Sequence, residues 1–351
     1  MAKFIVGVSA ALFGVDSKPC FDERILAEVR DHDEIEMVVM PEGKTYLDAG
    51  DASCFDAVYL MLERADAAVI DTPDRKLKLI ARHGVGFDTI DVPGMTGLGV
   101  MVTNTPDAVR RPVATMALTL MLAISHRLIE KHHLTRAGRW AENADFMGTG
   151  LIGRKLGVLG AGSIGSEILR LVAPFDMQLM ACDPHVDTAH LAALNTKKVE
   201  ARELFSEADF VIIATLLSAE TLHFVDAQKL GWMKPDAALI NVARGPVIHE
   251  PDLIAALQQS RIKAAALDVF ETEPVEPDNP LLTMENVITT SHSLCWTDEC
   301  FDNIARDGLG SILSFVAGQT PHYVVNKDVL DLSGAASFLT PALYEERDSE
   351  H

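Results

Sequence analysis

Positive charge is scarce in this sequence. Its 351 residues contain 30 Lys and Arg against 51 Asp and Glu, which gives a formal net charge of −21. A protein with this charge repels the phosphates of nucleic acids and the headgroups of anionic lipids, so neither is an expected partner. A small anionic ligand would need local positive charge, and the arginines to watch are Arg82, Arg110, Arg111 and Arg244.

Cysteine is also scarce, and the few cysteines are scattered. They are odd in number and show no C-x-x-C spacing, which argues against a disulfide framework or a zinc site. No bound metal is therefore expected, and a reducing cytoplasm is the favoured compartment. The five positions are Cys20, Cys54, Cys182, Cys295 and Cys300.

Long hydrophobic runs are absent as well. The longest one in the body of the chain, Val113 to Ile124, is shorter than the roughly 20 residues that a membrane-spanning helix needs. The apolar stretch near the N-terminus is followed by acids and proline without a cleavage pattern, and we interpret Phe4 to Val8 as a first strand. A soluble protein is expected.

What the chain does have is two series of alternating strand-like and helix-like segments. The first occupies about the first hundred residues, and the second, more regular one begins after Gly153. Its strands are continuous runs of Val, Ile, Leu and Ala, which is typical of parallel sheets covered by helices on both faces. Between the two series, apolar residues at helical spacing predict one long helix from about Pro112 to Gly138.

A glycine-rich turn follows the first strand of the second series. Gly160, Gly162 and Gly165 have the G-x-G-x-x-G spacing, and a helix is expected from Ser163 onward. Such glycines allow a pyrophosphate to approach the backbone at a helix N-terminus. The next strand ends in Asp183, 18 residues after Gly165, where a carboxylate can bind an adenosine ribose and repel a 2′-phosphate. The pattern predicts NAD rather than NADP; the alternative is a structural turn, and His185 could still tolerate some NADP.

Three predicted strands of the same series end in unusual polar residues. Arg244 follows one strand, Asp268 and then Glu273 follow the next, and His292 follows the last. Each could be a surface or capping residue when taken singly. Because ligands bind at the carboxyl ends of the strands in open α/β sheets, their joint occurrence beside a dinucleotide site predicts an active site.

The motifs GVGFDTID, GAGSIG, NVARG and LDVFETEP, together with the strand-terminal His292, resemble those of the D-isomer specific 2-hydroxyacid dehydrogenase family. The resemblance implies an α/β fold of two doubly wound parallel-sheet domains. The cofactor (Rossmann) domain, residues 107–298, would be inserted into a discontinuous substrate domain, residues 1–106 and 299–351. It also implies a homodimer and a small 2-oxo or 2-hydroxy acid as substrate.

The resemblance assigns a role to each motif residue. His292 would be the general acid or base, Glu273 its partner, and Arg244 the group that holds the substrate. The backbone of Val85 and Gly86 would bind the substrate carboxylate. The expected cofactor contacts are Gly160, Gly162, Ser163, Ile164, Gly165, Asp183, Val242 and Asp268, with Asp268 facing the nicotinamide carboxamide.

Elementary chemistry supports the same assignment. Hydride addition to a ketone leaves negative charge on oxygen, and a positioned proton donor is worth roughly 100- to 10,000-fold in rate. An imidazole is suited to that task near neutral pH, and a neighbouring carboxylate favours its charged form. Arginine binds a carboxylate with two parallel hydrogen bonds.

Some residues depart from the family pattern. The family commonly has V-A-E at the start of the long helix, whereas this chain has Val113, Ala114 and Thr115, preceded by Arg110 and Arg111. The arginines could complement a second anionic group on the substrate or simply form a solvated basic helix start. Trp296 resembles tryptophans of glyoxylate and hydroxypyruvate reductases, or it is ordinary packing.

Two other functions are compatible with the same scaffold. One is an NAD(H)-sensing interaction protein similar to the corepressors of the family, which no residue here specifically supports. The other is oxidation of a different donor, such as formate or phosphite, whose enzymes carry different residues around the substrate.

Overall fold

The two βα series form two separate parallel sheets, which confirms the predicted α/β fold. The computed structural model describes residues 3–14 and 16–332. One unit contains the described residues up to Val109 and from Thr297 onward, and the other runs from Arg110 to Trp296.

The first unit is built on a five-stranded sheet with the order β2-β1-β3-β4-β5. Alternate residues of a strand point to opposite faces, so Ala57 and Tyr59 join one buried cluster and Val58 and Leu60 join another. Its strands are β1 (Phe4–Val8), β2 (Ile35–Val39), β3 (Ala57–Leu60), β4 (Leu79–Arg82) and β5 (Met101–Thr103). Its helices are α1 (Glu23–Arg30), α2 (Ala49–Cys54), α3 (Ala67–Ile70), α4 (Val92–Gly97) and α12 (Asp298–Val316), together with the first turn of α5 (Pro106–His126).

The second unit is built on a seven-stranded sheet in which every pair is parallel. Its strands are β6 (Lys155–Leu159), β7 (Gln178–Cys182), β8 (Thr196–Lys198), β9 (Phe210–Ile213), β10 (Ala238–Asn241), β11 (Ala264–Leu267) and β12 (Val287–Thr289). Besides the rest of α5, its helices are α6 (Leu128–Arg136), α7 (Ser163–Val172), α8 (Thr188–Ala193), α9 (Ala201–Glu207), α10 (Ala227–Trp232) and α11 (Glu250–Gln258).

The strand order of this sheet creates a switch point. The order is β12-β11-β10-β9-β6-β7-β8, so the chain winds to one side of β6 and then to the other. A crevice opens at the carboxyl ends of the strands where such a reversal occurs, and ligands of α/β proteins bind there. The carboxyl ends of β6 and β9 are therefore the expected position of a nucleotide site.

The long helix is where the sequence-based prediction is wrong. Instead of one helix from Pro112 to Gly138, α5 begins at Pro106 and ends at His126, and α6 follows. Arg127 separates them with left-handed backbone angles of φ 52° and ψ 47°, which end the run of helical hydrogen bonds. Pro112 lies inside α5, because a proline removes only one hydrogen bond and the buried apolar face holds the rest of the helix.

Helix α5 is also longer than the apolar run within it. By length and composition it could cross a membrane, although more than half of its apolar window is buried in the protein. Core helices of soluble proteins meet the same criterion, so the length and composition of α5 are weak evidence for a membrane span.

Candidate active site

The glycine-rich turn between β6 and α7 has the shape that a phosphate group requires. Gly160 has φ +88°, and a Cβ there would lie 2.7 Å from the backbone of Thr215. A Cβ on Gly162 would have no atom within 4 Å, so space is open in front of the helix. The N-cap residue of α7 is Gly162, which has no side chain to accept hydrogen bonds from the first amides. Its first amides are thus available to an anion, and the residues present fit the pyrophosphate of a dinucleotide.

Asp183 lies at the end of β7 beside this turn. Its Oδ2 accepts a hydrogen bond from the Ala161 amide at 2.8 Å, and its Oδ1 accepts one from the His185 amide at 2.9 Å. The carboxylate is therefore fixed against the glycine-rich turn. Each oxygen can still accept a further hydrogen bond, which is what a ribose hydroxyl needs.

The other predicted cofactor contacts lie at the same edge of the sheet. Ser163 is exposed and Ile164 half-buried in the first turn of α7. Val242 directly follows β10, and its amide donates to the carbonyl of Ile213 in β9 at 3.3 Å. Gly165 allows α7 to pack closely against the glycine-rich turn, since a Cβ there would lie 2.0 Å from the carbonyl oxygen of Gly160.

His292 and Glu273 form a hydrogen-bonded pair beyond the ends of β12 and β11. The imidazole Nδ1 lies 2.8 Å from Glu273 Oε2, with the two side chains 44% and 36% exposed. Glu273 Oε1 accepts a hydrogen bond from the Phe270 amide at 2.9 Å. Since Nδ1 faces the carboxylate, Nε2 is the nitrogen left for proton exchange with a substrate.

The charge state of Glu273 follows from these contacts. Burial opposes ionisation, but the hydrogen bond and charge of His292, the Phe270 amide and the positive charge of Arg244 together hold the pKa of Glu273 below its ordinary value. Glu273 is thus a carboxylate at neutral pH, and its Oε2 lies within hydrogen-bond distance of Nδ1 of His292.

Arg244 is half-buried in the turn after β10, and its charge acts on Glu273. The turn is shaped by Asn241, a fully buried residue whose Nδ2 donates to the Arg244 carbonyl at 3.0 Å and whose Oδ1 accepts from the Ala243 amide at 3.0 Å. Sequence reasoning missed Asn241, although the motif NVARG contains it. The structure therefore brings Arg244, Glu273 and His292 to one edge.

Asp268 is the fourth predicted residue of this edge and is 1% exposed. Its Oδ1 accepts a hydrogen bond from the Thr290 hydroxyl at 2.5 Å, and its carbonyl accepts one from the His292 amide at 2.7 Å. Thr290 is a second residue that sequence reasoning missed. His292 itself has φ +53°, a left-handed conformation that costs about 1–2 kcal/mol in a residue other than glycine.

Val85 and Gly86 belong to the first unit, in the turn after β4, where both are half-buried. The Val85 carbonyl accepts a hydrogen bond from Asn104 Nδ2 at 2.8 Å. Just before them, buried His83 shares a hydrogen bond of 2.6 Å with the Tyr59 hydroxyl. Burial, aided by the charge of Arg82, lowers the pKa of His83 to about 3, so this imidazole is neutral and anchors the turn.

Arg111 has a partner within its own unit. Its Nε donates to Glu167 Oε1 at 2.9 Å, and Arg170 pairs with the other oxygen of the same carboxylate. Glu167 is 2% exposed, so a buried charge is neutralised by two arginines. This contact gives the charge of Arg111 a partner without a second anionic group on the substrate.

Trp296, the other residue in doubt, lies four residues after His292 and is 50% exposed.

The chain is similar to proteins of one known family. The family model for "D-isomer specific 2-hydroxyacid dehydrogenase, NAD binding domain" matches residues 118–293. A glyoxylate reductase of Korarchaeum cryptofilum is 32% identical over 313 residues, which cover 88% of this chain and 94% of that protein. A glyoxylate reductase of Thermococcus gammatolerans is 36% identical over 282 residues, covering 78% and 84%.

Solved structures give the same fold. The crystal structure of a glyoxylate reductase from "Paecilomyes thermophila" matches with a TM-score of 0.81, at 23% identity, over 93% of this chain and 99% of that one. The family model supports NAD as the cofactor.

The contacts of Asp183 predict how its charge affects cofactor choice. Asp183→Asn keeps an oxygen for the Ala161 amide but removes the charge that repels a 2′-phosphate, so we expect the ratio of Kd for NADPH to Kd for NADH to fall roughly tenfold. Fluorescence titration of both cofactors measures this ratio.

Asp187→Asn is the matched control, since it removes the same charge at the nearby N-cap of α8, where Asp187 accepts from the Ala189 amide. A ratio that moves equally in both variants would mean that only the general charge matters, and an unchanged ratio in Asp183→Asn would remove Asp183 from cofactor selection.

Proposed function

The chain belongs to the D-isomer specific 2-hydroxyacid dehydrogenase family, and from this premise we propose that it reduces a small 2-oxo acid to the 2-hydroxy acid with His292 as the general acid. The observation that carries the proposal is the His292–Glu273 pair at 2.8 Å, on the sheet edge that also carries the glycine-rich turn. The reverse reaction would use the same imidazole as a base.

The residues of this chain supply protons, charge and orientation. Bound NADH supplies the hydride. As negative charge develops on the 2-oxo oxygen, Nε2 of His292 donates a proton to it, and the carboxylate of Glu273 orients the ring through Nδ1. Arg244 binds the substrate carboxylate and polarises the adjacent carbonyl. In the first unit, the backbone amides of Val85 and Gly86 are proposed carboxylate donors. Asp268 and Val242 are the residues that would hold the nicotinamide end of the cofactor.

The substrate class is proposed from the relatives and from the charges. The relatives quoted above are named as glyoxylate reductases, so glyoxylate and acids of similar size are the first candidates. Because Arg111 is bound to Glu167, we favour a substrate with a single carboxylate. All five cysteines are free thiols, which supports a reducing compartment such as the cytoplasm.

We also propose that the protein is a homodimer. Large apolar side chains are exposed along α6 and the segment that follows it, all in the second unit: Leu128, Ile129, Trp140, Met147 and Ile152. Exposed aromatic and apolar groups in one segment are typical of an interface. A second copy of the chain would bury them.

His292→Asn is the decisive test of the proposed function. Asparagine tolerates positive φ, so the backbone at position 292 is kept while the proton donor is lost. We expect kcat with the best of glyoxylate, hydroxypyruvate, pyruvate, oxaloacetate and phosphohydroxypyruvate to fall at least about 100-fold, with NADH binding preserved. Loss of NADH absorbance measures turnover.

His223→Asn is its matched control. His223 also has positive φ (51°), and its Nε2 lies 2.6 Å from a carboxylate, Glu271 Oε1. It should keep most of the activity. Full activity in His292→Asn would exclude the histidine from the mechanism. A wild-type chain that binds NADH but reduces none of the five acids would favour the NAD(H)-sensing protein instead.

Glu273→Gln should change the pH dependence of reduction. The contacts of Glu273 lower its pKa, so a carboxylate lies beside His292 at neutral pH, and the variant replaces it with a neutral amide. A carboxylate favours the charged form of a neighbouring proton donor, and an amide does not. We expect the alkaline limb of kcat/KM to move down by roughly half a pH unit, since the pair is partly exposed.

The control for this profile is Glu271→Gln, which removes the carboxylate that pairs with His223. Its alkaline limb should coincide with that of the wild type. An alkaline limb at the wild-type position in Glu273→Gln would show that the pair does not govern proton donation.

Trp140→Asp should disrupt the proposed dimer, because a charge replaces an indole that is 70% exposed in the single chain. We expect the dimer dissociation constant to rise at least about 100-fold, measured by sedimentation velocity. Leu222→Asp places the same charge at an exposed apolar residue outside the segment and should remain dimeric. A wild-type chain that sediments as a monomer at micromolar concentration would contradict the dimer.

A further inference from the structure

The carboxylate of Asp268 organises the loop that carries His292. Its Oδ1 accepts hydrogen bonds from the Thr290 hydroxyl at 2.5 Å, the Ser293 amide at 3.3 Å and the Leu294 amide at 3.2 Å. Its main-chain carbonyl accepts the His292 amide at 2.7 Å. Four donors from five consecutive loop residues thus converge on one residue at the end of β11.

The loop joins an edge strand to a helix. Strand β12 is only three residues long and half-buried at the edge of the sheet, and helix α12 starts only at Asp298. Between these elements His292 adopts φ +53°, which persists only where the surroundings hold it. Asp268 is itself fixed, since its amide donates to the carbonyl of buried Asn241 at 3.1 Å.

The two carboxylate oxygens of Asp268 have different surroundings. Among the residues that the structure describes, every hydrogen bond to the side chain falls on Oδ1. Oδ2 is therefore the oxygen that can accept a hydrogen bond from a nicotinamide carboxamide. One buried carboxylate would then touch both the cofactor and the loop of the general acid.

We propose that Asp268 is a positioning residue for the general acid: through Oδ1 and Thr290 it holds the loop 290–294, and with it His292, in register with the cofactor bound at Oδ2. This inference rests on the proposed function. It differs from a cofactor contact alone, because it predicts that a residue away from the cofactor and the reacting atoms, Thr290, affects catalysis.

Thr290→Val is the test, since valine keeps the shape of threonine and removes only the hydroxyl. A hydrogen bond to a buried carboxylate is strong enough that we expect kcat to fall about tenfold, while KM for NADH stays within about twofold. The pH profile should keep its position, because the His292–Glu273 pair is untouched. Thr290→Ser restores the hydroxyl and should recover kcat to within about twofold of the wild type.

Ser291→Ala is the matched control on the same loop. The Ser291 hydroxyl is exposed and bonds to the Ser293 hydroxyl at 3.0 Å, not to Asp268. Its removal should leave kcat unchanged. Wild-type kcat in Thr290→Val, or a Thr290→Ser variant as slow as Thr290→Val, would overturn the proposal. A parallel rise in KM for NADH would overturn it too, since the hydroxyl would then act on the cofactor.

Amide hydrogen exchange separates this inference from the proposed function. If the wild-type chain reduces none of the five acids, the proposed function has failed, but the loop can still be examined. In Thr290→Val the amides of His292, Ser293 and Leu294 should exchange about tenfold faster than in the wild type or in Ser291→Ala. Unchanged exchange at these amides would show that the carboxylate does not hold the loop through Thr290.

Discussion

The parallel register of β10, β11 and β12 is the constraint on which the candidate site depends. Asn241 is paired with Leu267, and Leu267 with Thr289, so three strands end at one level. The three site residues follow these strand ends closely: Arg244 comes three residues after Asn241, Asp268 one residue after Leu267, and His292 three residues after Thr289. A slip of one residue in either pairing would turn alternate side chains to the opposite face of the sheet. The backbone hydrogen bonds between the strands therefore determine which side chains lie together at the site.

Local features of the site could be predicted from the sequence because their signals are local. The glycine spacing, the strand before it and the acid after the next strand lie within about thirty residues, and their occurrence in this order favours a dinucleotide site over a structural turn. The α/β fold follows similarly from strand-like and helix-like segments in alternation.

Pairings between distant residues carry no such signal. The contacts of Arg111 with Glu167, of Thr290 with Asp268 and of His223 with Glu271 are set by packing, so composition and periodicity do not reveal them. The break at Arg127 was missed for a related reason, since no glycine or asparagine marks that left-handed residue.

The net charge of −21 makes anion binding a problem of local electrostatics. A dinucleotide and a 2-oxo acid are both anions, and the overall field repels them. Backbone amides solve this problem without adding formal charge. The N-terminus of α7 presents amides and the positive end of a helix dipole. Under the proposed function, Arg244 supplies one full positive charge at the same edge of the sheet, while Arg111 neutralises Glu167.

The carboxylates of two imidazole–carboxylate pairs lie in the segment Phe270–Glu273, and the two pairs have different surroundings. Glu271 binds His223, but its other oxygen accepts the Glu250 amide at 2.9 Å, while the His223 ring lies 4.9 Å from that of His249. That pair therefore ties the turn to the start of α11. Glu273 also binds a histidine, but its other oxygen accepts only an amide of its own turn, Phe270. Both histidines have positive φ, so backbone conformation does not separate them. What separates them is that His292 lies beyond the end of β12, in the row that includes Arg244 and Asp268, and ligands of open α/β sheets bind at the carboxyl ends of the strands.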